Sequence, residues 1–118
     1  MDCIFCKIIK GEIPSDMVHE DKDIVVFKDI KPKAPIHSLL VPRKHIASIN
    51  HLEQEDKELM GKLFLVSKKI AKILGVKDSG YKLIFNVGRG GGQLIDHIHL
   101  HLLGGWHNAG ERDIPGMP

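Results

Sequence analysis

Apolar positions along the chain switch between a two-residue and a three-to-four-residue period, and each switch marks an element. After the short stretch CIFCKIIKGEIP, read as a brief helix stopped by Gly11 ahead of Pro14, come MVHED and DIVVFKDI. These are two β-branched runs separated by polar residues around Glu20 to Asp23, the signature of a hairpin. KPKAP interrupts regular structure with two prolines, and IHSLLVP predicts a third strand ending at Pro42.

From about Asn50 to Leu74 the period becomes helical. Leu52, Leu59, Leu63, Phe64, Val66, Ile70, Ile73 and Leu74 gather on one side, with Glu and Lys elsewhere. Asn50 followed by Glu53 resembles a capping box, and Gly75 is a natural stop. YKLIFNVG predicts a fourth strand, RGGGQ a loop, and HIHLHLLGG a fifth strand closed by paired glycines. This order predicts one α+β domain over residues 1–118: a five-stranded antiparallel sheet with one long helix and a short N-terminal helix.

Composition narrows the classes. The 118 residues are 42% hydrophobic and 27% charged, as in a folded globular chain. Seventeen basic against 15 acidic residues leave a net charge of +2, too balanced for a phosphate-backbone binder, so nucleic acid is not an expected partner. The longest apolar runs fall far short of the roughly 20 residues that span a bilayer, and the N-terminus lacks the order of a signal peptide. The expectation is a cytoplasmic protein with no membrane partner.

Within DHIHLHLLGG three histidines alternate with apolar residues. On a strand, His97, His99 and His101 would share one face while Ile98, Leu100 and Leu102 enter the core on the other. One such histidine is usually a surface residue, but three in register favour a site, since a chance polar face uses Thr, Lys or Glu more readily. Two chemistries suit the row: metal binding by neutral imidazoles, or phosphoryl transfer by a nucleophilic histidine with phosphate-binding neighbours. NVGRGGGQ favours the second, because glycines let backbone N–H groups approach an anion and Asn86 and Gln93 supply neutral hydrogen-bonding groups.

These segments resemble the histidine triad (HIT) superfamily. DHIHLHLLGG is similar to its triad signature, while FKDIKPKAPIHSLLVPRKHI, YKLIFNVG and GGQ match further landmarks of its purine nucleoside phosphoramidase branch, in order and over nearly the whole chain. The resemblance implies a homodimer that binds a purine nucleoside monophosphate and hydrolyses its phosphoramidate through a nucleotidyl-histidine, with no metal needed for the chemistry. It implies His99 as nucleophile and His101 and His37 as phosphate contacts. Asp29 would hold the ribose hydroxyls, Phe5 and Ile30 would lie near the base, and Asn86 near the phosphate. Leu94 stands where the branch usually has a serine, and a leucine donates no hydrogen bond to a leaving group. A dinucleoside polyphosphate hydrolase and a nucleotide-binding scaffold with weak turnover are the competing readings.

The spacing of Cys3-x-x-Cys6 leaves open a redox pair, two inert thiols or half of a zinc site. Some bacterial members of the family complete such a site with the histidines equivalent to His45 and His97, which would make the zinc structural. A wider metal-storage role for the histidines and cysteines is a further alternative. His19 and His51 match no motif and read as surface residues. Gly61 is compatible with close packing of a second subunit, and the segment from Trp106 and His107 onward would, by resemblance, shape the partner's leaving-group pocket.

Overall fold

The computed structural model describes residues 3–106. A short helix α1 (Ile4–Ile9) precedes the hairpin β1 (Met17–Glu20) and β2 (Ile24–Lys28), followed by β3 (Ile36–Pro42), the long helix α2 (Lys57–Ile73), β4 (Tyr81–Ile84) and β5 (Leu100–Gly104). The strands form one antiparallel sheet in the order β1-β2-β3-β5-β4, the predicted architecture.

Strand alternation sorts the core into two layers. Val26, Leu40, Leu100 and Leu102 point to one face, where Leu63, Val66 and Ile70 of α2 cover them. Val25, Phe27, Leu39 and Val41 point to the other, where Phe5 and Ile8 of α1 pack. Each fully buried Leu or Ile contributes about 1.5–3 kcal/mol, so α2, with Leu63 and Ile70 both fully buried, is the principal clamp on its face. Because β5 lies between β3 and β4, and His101 opposes Leu39, the triad strand sits near the sheet's centre with its imidazole side turned to the α1 layer.

Four expectations need correction. The long helix starts at Lys57 rather than Asn50. Residues 49–56 form two 3-10 turns separated by Leu52 and Glu53, both extended, with ψ of 140° and 168°. Ser48, not Asn50, caps the first turn through its hydroxyl, and the capping box joins Glu53 to Asp56. Phe64 and Ile73, expected on the core side, are half exposed. The fifth strand begins at Leu100, so His97 and His99 precede the ladder. Continuing the register would set Pro42 opposite Ile98, and proline has no N–H to give. Instead the N–H of Ile98 donates to the Ile46 carbonyl at 2.7 Å and the His97 ring donates to the Pro42 carbonyl at 2.7 Å. His19 is partly buried and bonded to Asp21 at 2.9 Å, whereas His51 is exposed as expected.

The paired glycines end β5 for a steric reason. A Cβ on Gly104 would press on Val76 at 3.1 Å, and one on Gly105, at φ 90°, would strike Pro35 at 2.9 Å.

Two features of the frame give measurable outcomes. Ser38 is buried on β3 and its Oγ has no hydrogen-bond partner among the described residues. Ser38→Ala should therefore raise stability by about 0.5–2 kcal/mol, read by denaturant unfolding; a loss would show that the hydroxyl is satisfied. Asp21 closes the β1–β2 turn by accepting N–H bonds from Asp23 and Ile24 and bonds from His19 and Lys62. Burial pushes its carboxyl up, but these donors outweigh it and hold the group well below the usual carboxylate range. Its stabilisation is thus complete above the unfolded-state pKa and is lost as pH falls through the depressed folded value. Asp21→Ala should cost about 1–3 kcal/mol at neutral pH, with the gap to wild type narrowing in acid; a constant gap would exclude the charge as its source.

Candidate active site and metal centre

Two clusters share the approach to β5. In the first, His99 and His101 have ring centroids 4.9 Å apart, and His101 lies 5.2 Å from the ring of His37 on β3. His37 Nε2 and His101 Nδ1 are 3.0 Å apart, and His37 Nε2 is 3.5 Å from Asp29 Oδ2. The backbone N–H of Lys33 donates to His37 Nδ1 at 3.0 Å. His99 Nδ1 donates to the backbone carbonyl of His97 at 2.7 Å. A carbonyl can only accept, so the neutral ring carries its proton on Nδ1 and keeps a lone pair on Nε2.

Burial sets the charge of this group. It pushes His99 down despite the bond to the His97 carbonyl, and pushes His37 down despite Asp29. His101 is lowered to about 4 by burial and then by the adjacent His99 and His37. Neutral imidazoles are what remain near pH 7, suited to nucleophilic attack and to neutral hydrogen bonding.

The second cluster joins the N-terminus to the same strand. Cys3 Sγ and Cys6 Sγ lie 3.4 and 3.6 Å from His97 Nδ1. His45 Nδ1 lies 3.4 Å from Cys6 Sγ and 3.2 Å from His97 Nδ1. A tetrahedron with zinc–sulfur bonds of ~2.3 Å and zinc–nitrogen bonds of ~2.05 Å has edges of about 3.5 Å (N to S) and about 3.3 Å (N to N), so the four donors fit the ion. The His97 ring is also oriented as a ligand. Its Nε2–H is held by the Pro42 carbonyl, which leaves the Nδ1 lone pair facing the thiols. Burial, then the neighbouring Cys3, push the Cys6 thiol up. Cys3, Cys6, His45 and His97 could hold a metal.

The remaining candidates are placed as follows. Phe5 is buried, its ring edge-on to His99 at 5.0 Å and to His97 at 6.0 Å, so it backs both rings. Asp29 accepts the Lys31 N–H, and Ile30 is 89% exposed beside it. Asn86 donates to the Gly91 carbonyl at 2.8 Å, spanning the glycine loop. Gln93, expected to offer its amide to an anion, is turned inward. Its nitrogen donates to the Ala47 and Ile95 carbonyls and its oxygen accepts the Gly88 N–H, so it stitches the loop to the segment after β3. Leu94 is 79% exposed at the mouth of that loop. Residue spacing gave no sign of the fork between Arg89 and Asp96, at 2.9 and 3.1 Å, which fixes the loop just ahead of the triad. Trp106 packs under Lys82, whose Nζ is 5.7 Å from its ring, while the tail from His107 onward lies outside the described residues.

Comparison with known proteins agrees with this arrangement. Residues 2–113 match the family described as "Scavenger mRNA decapping enzyme C-term binding". Protein HitA of Neisseria gonorrhoeae is 48% identical over 103 residues, 87% of this chain and 95% of that protein. The purine nucleoside phosphoramidase of Escherichia coli (strain K12) is 45% identical over 104 residues, 88% of this chain and 87% of that protein. The crystal structure of a HIT family hydrolase from Legionella pneumophila Philadelphia 1 superposes with a TM-score of 0.87 at 52% identity, covering 89% of this chain and 94% of that one. The triad at the head of β5, the sheet that carries it and these relatives together assign the chain to the histidine triad (HIT) family, as a hydrolase.

Proposed function

We propose that the protein hydrolyses purine nucleoside 5'-phosphoramidates and related adenylates through a nucleotide covalently held on His99. The observation that carries this reading is the 2.7 Å bond from His99 Nδ1 to the His97 carbonyl, which leaves Nε2 as an unprotonated nucleophile beside His101. His99 Nε2 attacks the α-phosphorus, the P–N bond breaks, and the amine leaves with a proton taken from solvent. Water then attacks the same phosphorus, the bond to Nε2 breaks, and the nucleoside monophosphate departs. Charge gathering on the nonbridging oxygens is met by imidazole donors, an effect that in comparable sites is worth roughly 3–4 kcal/mol per donor. Asp29, beside exposed Ile30, would hold the ribose hydroxyls. A 45% identical relative named purine nucleoside phosphoramidase supports the substrate class.

A structural zinc on Cys3, Cys6, His45 and His97 belongs to the same reading. It would draw the thiols to thiolates and tie α1 to the residue two places before the nucleophile. The working form is a homodimer in the cytoplasm. The exposed Phe64, Leu65 and Ile73 of α2, with open space around Gly61, support its helix as the shared face.

His99→Gly should lower kcat/KM for an adenosine phosphoramidate by roughly three to six orders of magnitude while the far-UV spectrum is kept. Retained turnover would remove His99 as the nucleophile. Diadenosine polyphosphates and lysyl-adenylate run beside it would expose a different leaving-group class. Metal analysis of the reduced protein should find about one zinc per chain, lost in Cys3→Ala and kept in His99→Gly, and a chelator should lower the melting temperature. Metal-free protein whose melting is indifferent to chelator would end the zinc reading.

A further inference from the structure

The group Asp29, His37 and His101 has the donor set of a metal site, two imidazoles and a carboxylate within 4.8 Å of one another. Its hydrogen bonding points to another use. We propose that the backbone N–H of Lys33 fixes the tautomers of His37 and His101 in succession, making His37 a positioning residue that aims an N–H of His101 at the substrate phosphate and closes this group to divalent cations.

The argument runs through lone pairs. A backbone N–H can only donate, so His37 Nδ1, at 3.0 Å from the Lys33 nitrogen, must accept. A neutral imidazole has one proton, which in His37 must then lie on Nε2. A cationic His37 would set an N–H against the Lys33 N–H, and burial in any case disfavours it. His37 Nε2–H therefore donates to its nearest acceptor, His101 Nδ1 at 3.0 Å, with Asp29 Oδ2 farther off at 3.5 Å. The reverse direction, His101 donating to His37, would leave both nitrogens of His37 accepting, which only an imidazolate can do. His101 Nδ1 being an acceptor, its proton sits on Nε2. That atom has no protein partner among the described residues and is not sealed from solvent, so it is free to meet an anion.

The two rings beside the reacting phosphorus thus present opposite faces of the same chemistry. His99, tied at Nδ1 to a carbonyl, offers a lone pair; His101, tied at Nδ1 to a donor, offers an N–H. The same proton on His37 Nε2 occupies the lone pair that a cation would need, and moving it to Nδ1 would break the Lys33 bond. This separates the group from Cys3, Cys6, His45 and His97, where the His97 lone pair faces the other donors. His37, whose side chain is 2% exposed, lies behind His101 and would act on the phosphate through it.

The catalytic part of this inference rests on the proposed hydrolysis; the tautomers do not. In wild-type protein labelled with 15N-histidine, long-range proton–nitrogen spectra near pH 7 should show His37 and His101 protonated at Nε2 and His99 at Nδ1. Two equivalents of zinc should leave the His37 and His101 signals in place. Lys33→Pro, which deletes the donating N–H, should mix the tautomers of both rings and let zinc shift their signals. His37→Leu should mix the tautomer of His101 and lower kcat more than it raises KM, and His37→Gln, whose amide N–H can replace the donor, should recover the Nε2–H form and part of the lost kcat. If Lys33→Pro does not fold, the wild-type and His37 spectra decide alone. A proton on His101 Nδ1 in the wild type, or zinc binding to His37 and His101 there, would overturn the relay. Tautomers as stated in a protein without phosphoramidase activity would uphold the relay and defeat the proposed substrate instead.

Discussion

The site depends on one constraint: a buried imidazole has a single proton, and the main chain decides which nitrogen holds it. Burial pushes His37, His97, His99 and His101 down and keeps them neutral, so each has one donor and one acceptor edge. The carbonyl of Pro42 takes the proton edge of His97, the carbonyl of His97 takes that of His99, and the N–H of Lys33 takes the acceptor edge of His37. With those three contacts set, the direction in which each ring can act follows. Were the rings exposed, solvent would exchange the tautomers and the spacing of the side chains would specify far less.

Those main-chain groups are available because the ladder between β3 and β5 stops short. Had His97 and His99 been inside a regular ladder, their carbonyls and the carbonyl of Pro42 would have been committed to backbone partners. Pro42 ends the pairing, the lead-in of β5 bonds to Ile46 instead, and the freed carbonyls become the partners of side chains. Asn86, Gln93 and the Arg89–Asp96 fork then hold the glycine loop that delivers the chain to this point. The irregular stretch ahead of β5 is therefore a built part of the site, supported on one side by Phe5.

The sheet, the two helices and the pairing of His99 with His101 were legible in the sequence because a period of two, a period near 3.6 and glycine punctuation are local properties. What spacing could not reveal was set by contacts distant in the chain. Phe64 and Ile73 fit an apolar helical stripe but α2 presents them outward, because the sheet covers only the arc around Leu63, Val66 and Ile70. The place of Gln93 in a glycine-rich loop suggests an anion contact, yet its amide is consumed by Ala47, Ile95 and Gly88. The cysteine pair alone left three chemistries open, and its meeting with His45 and His97 needed β3 and β5 to be neighbours.

The alternation of the triad serves two clusters, a requirement stricter than a shared face. His97 must send Nδ1 toward the thiols while its carbonyl, one bond further along the chain, accepts from His99. A side chain held at one end by Cys3, Cys6 and His45 and at the other by Pro42 leaves its own backbone little freedom to rotate, so the carbonyl that fixes the His99 ring is itself fixed by the cluster. One residue of separation would put the two rings on opposite sides of the chain, and three would put them on opposite sides again, farther apart. Two residues is the shortest spacing that lets the rings of His97 and His99 face the same layer and be joined by a single peptide carbonyl, which gives the first histidine of the triad the physical task of orienting the second.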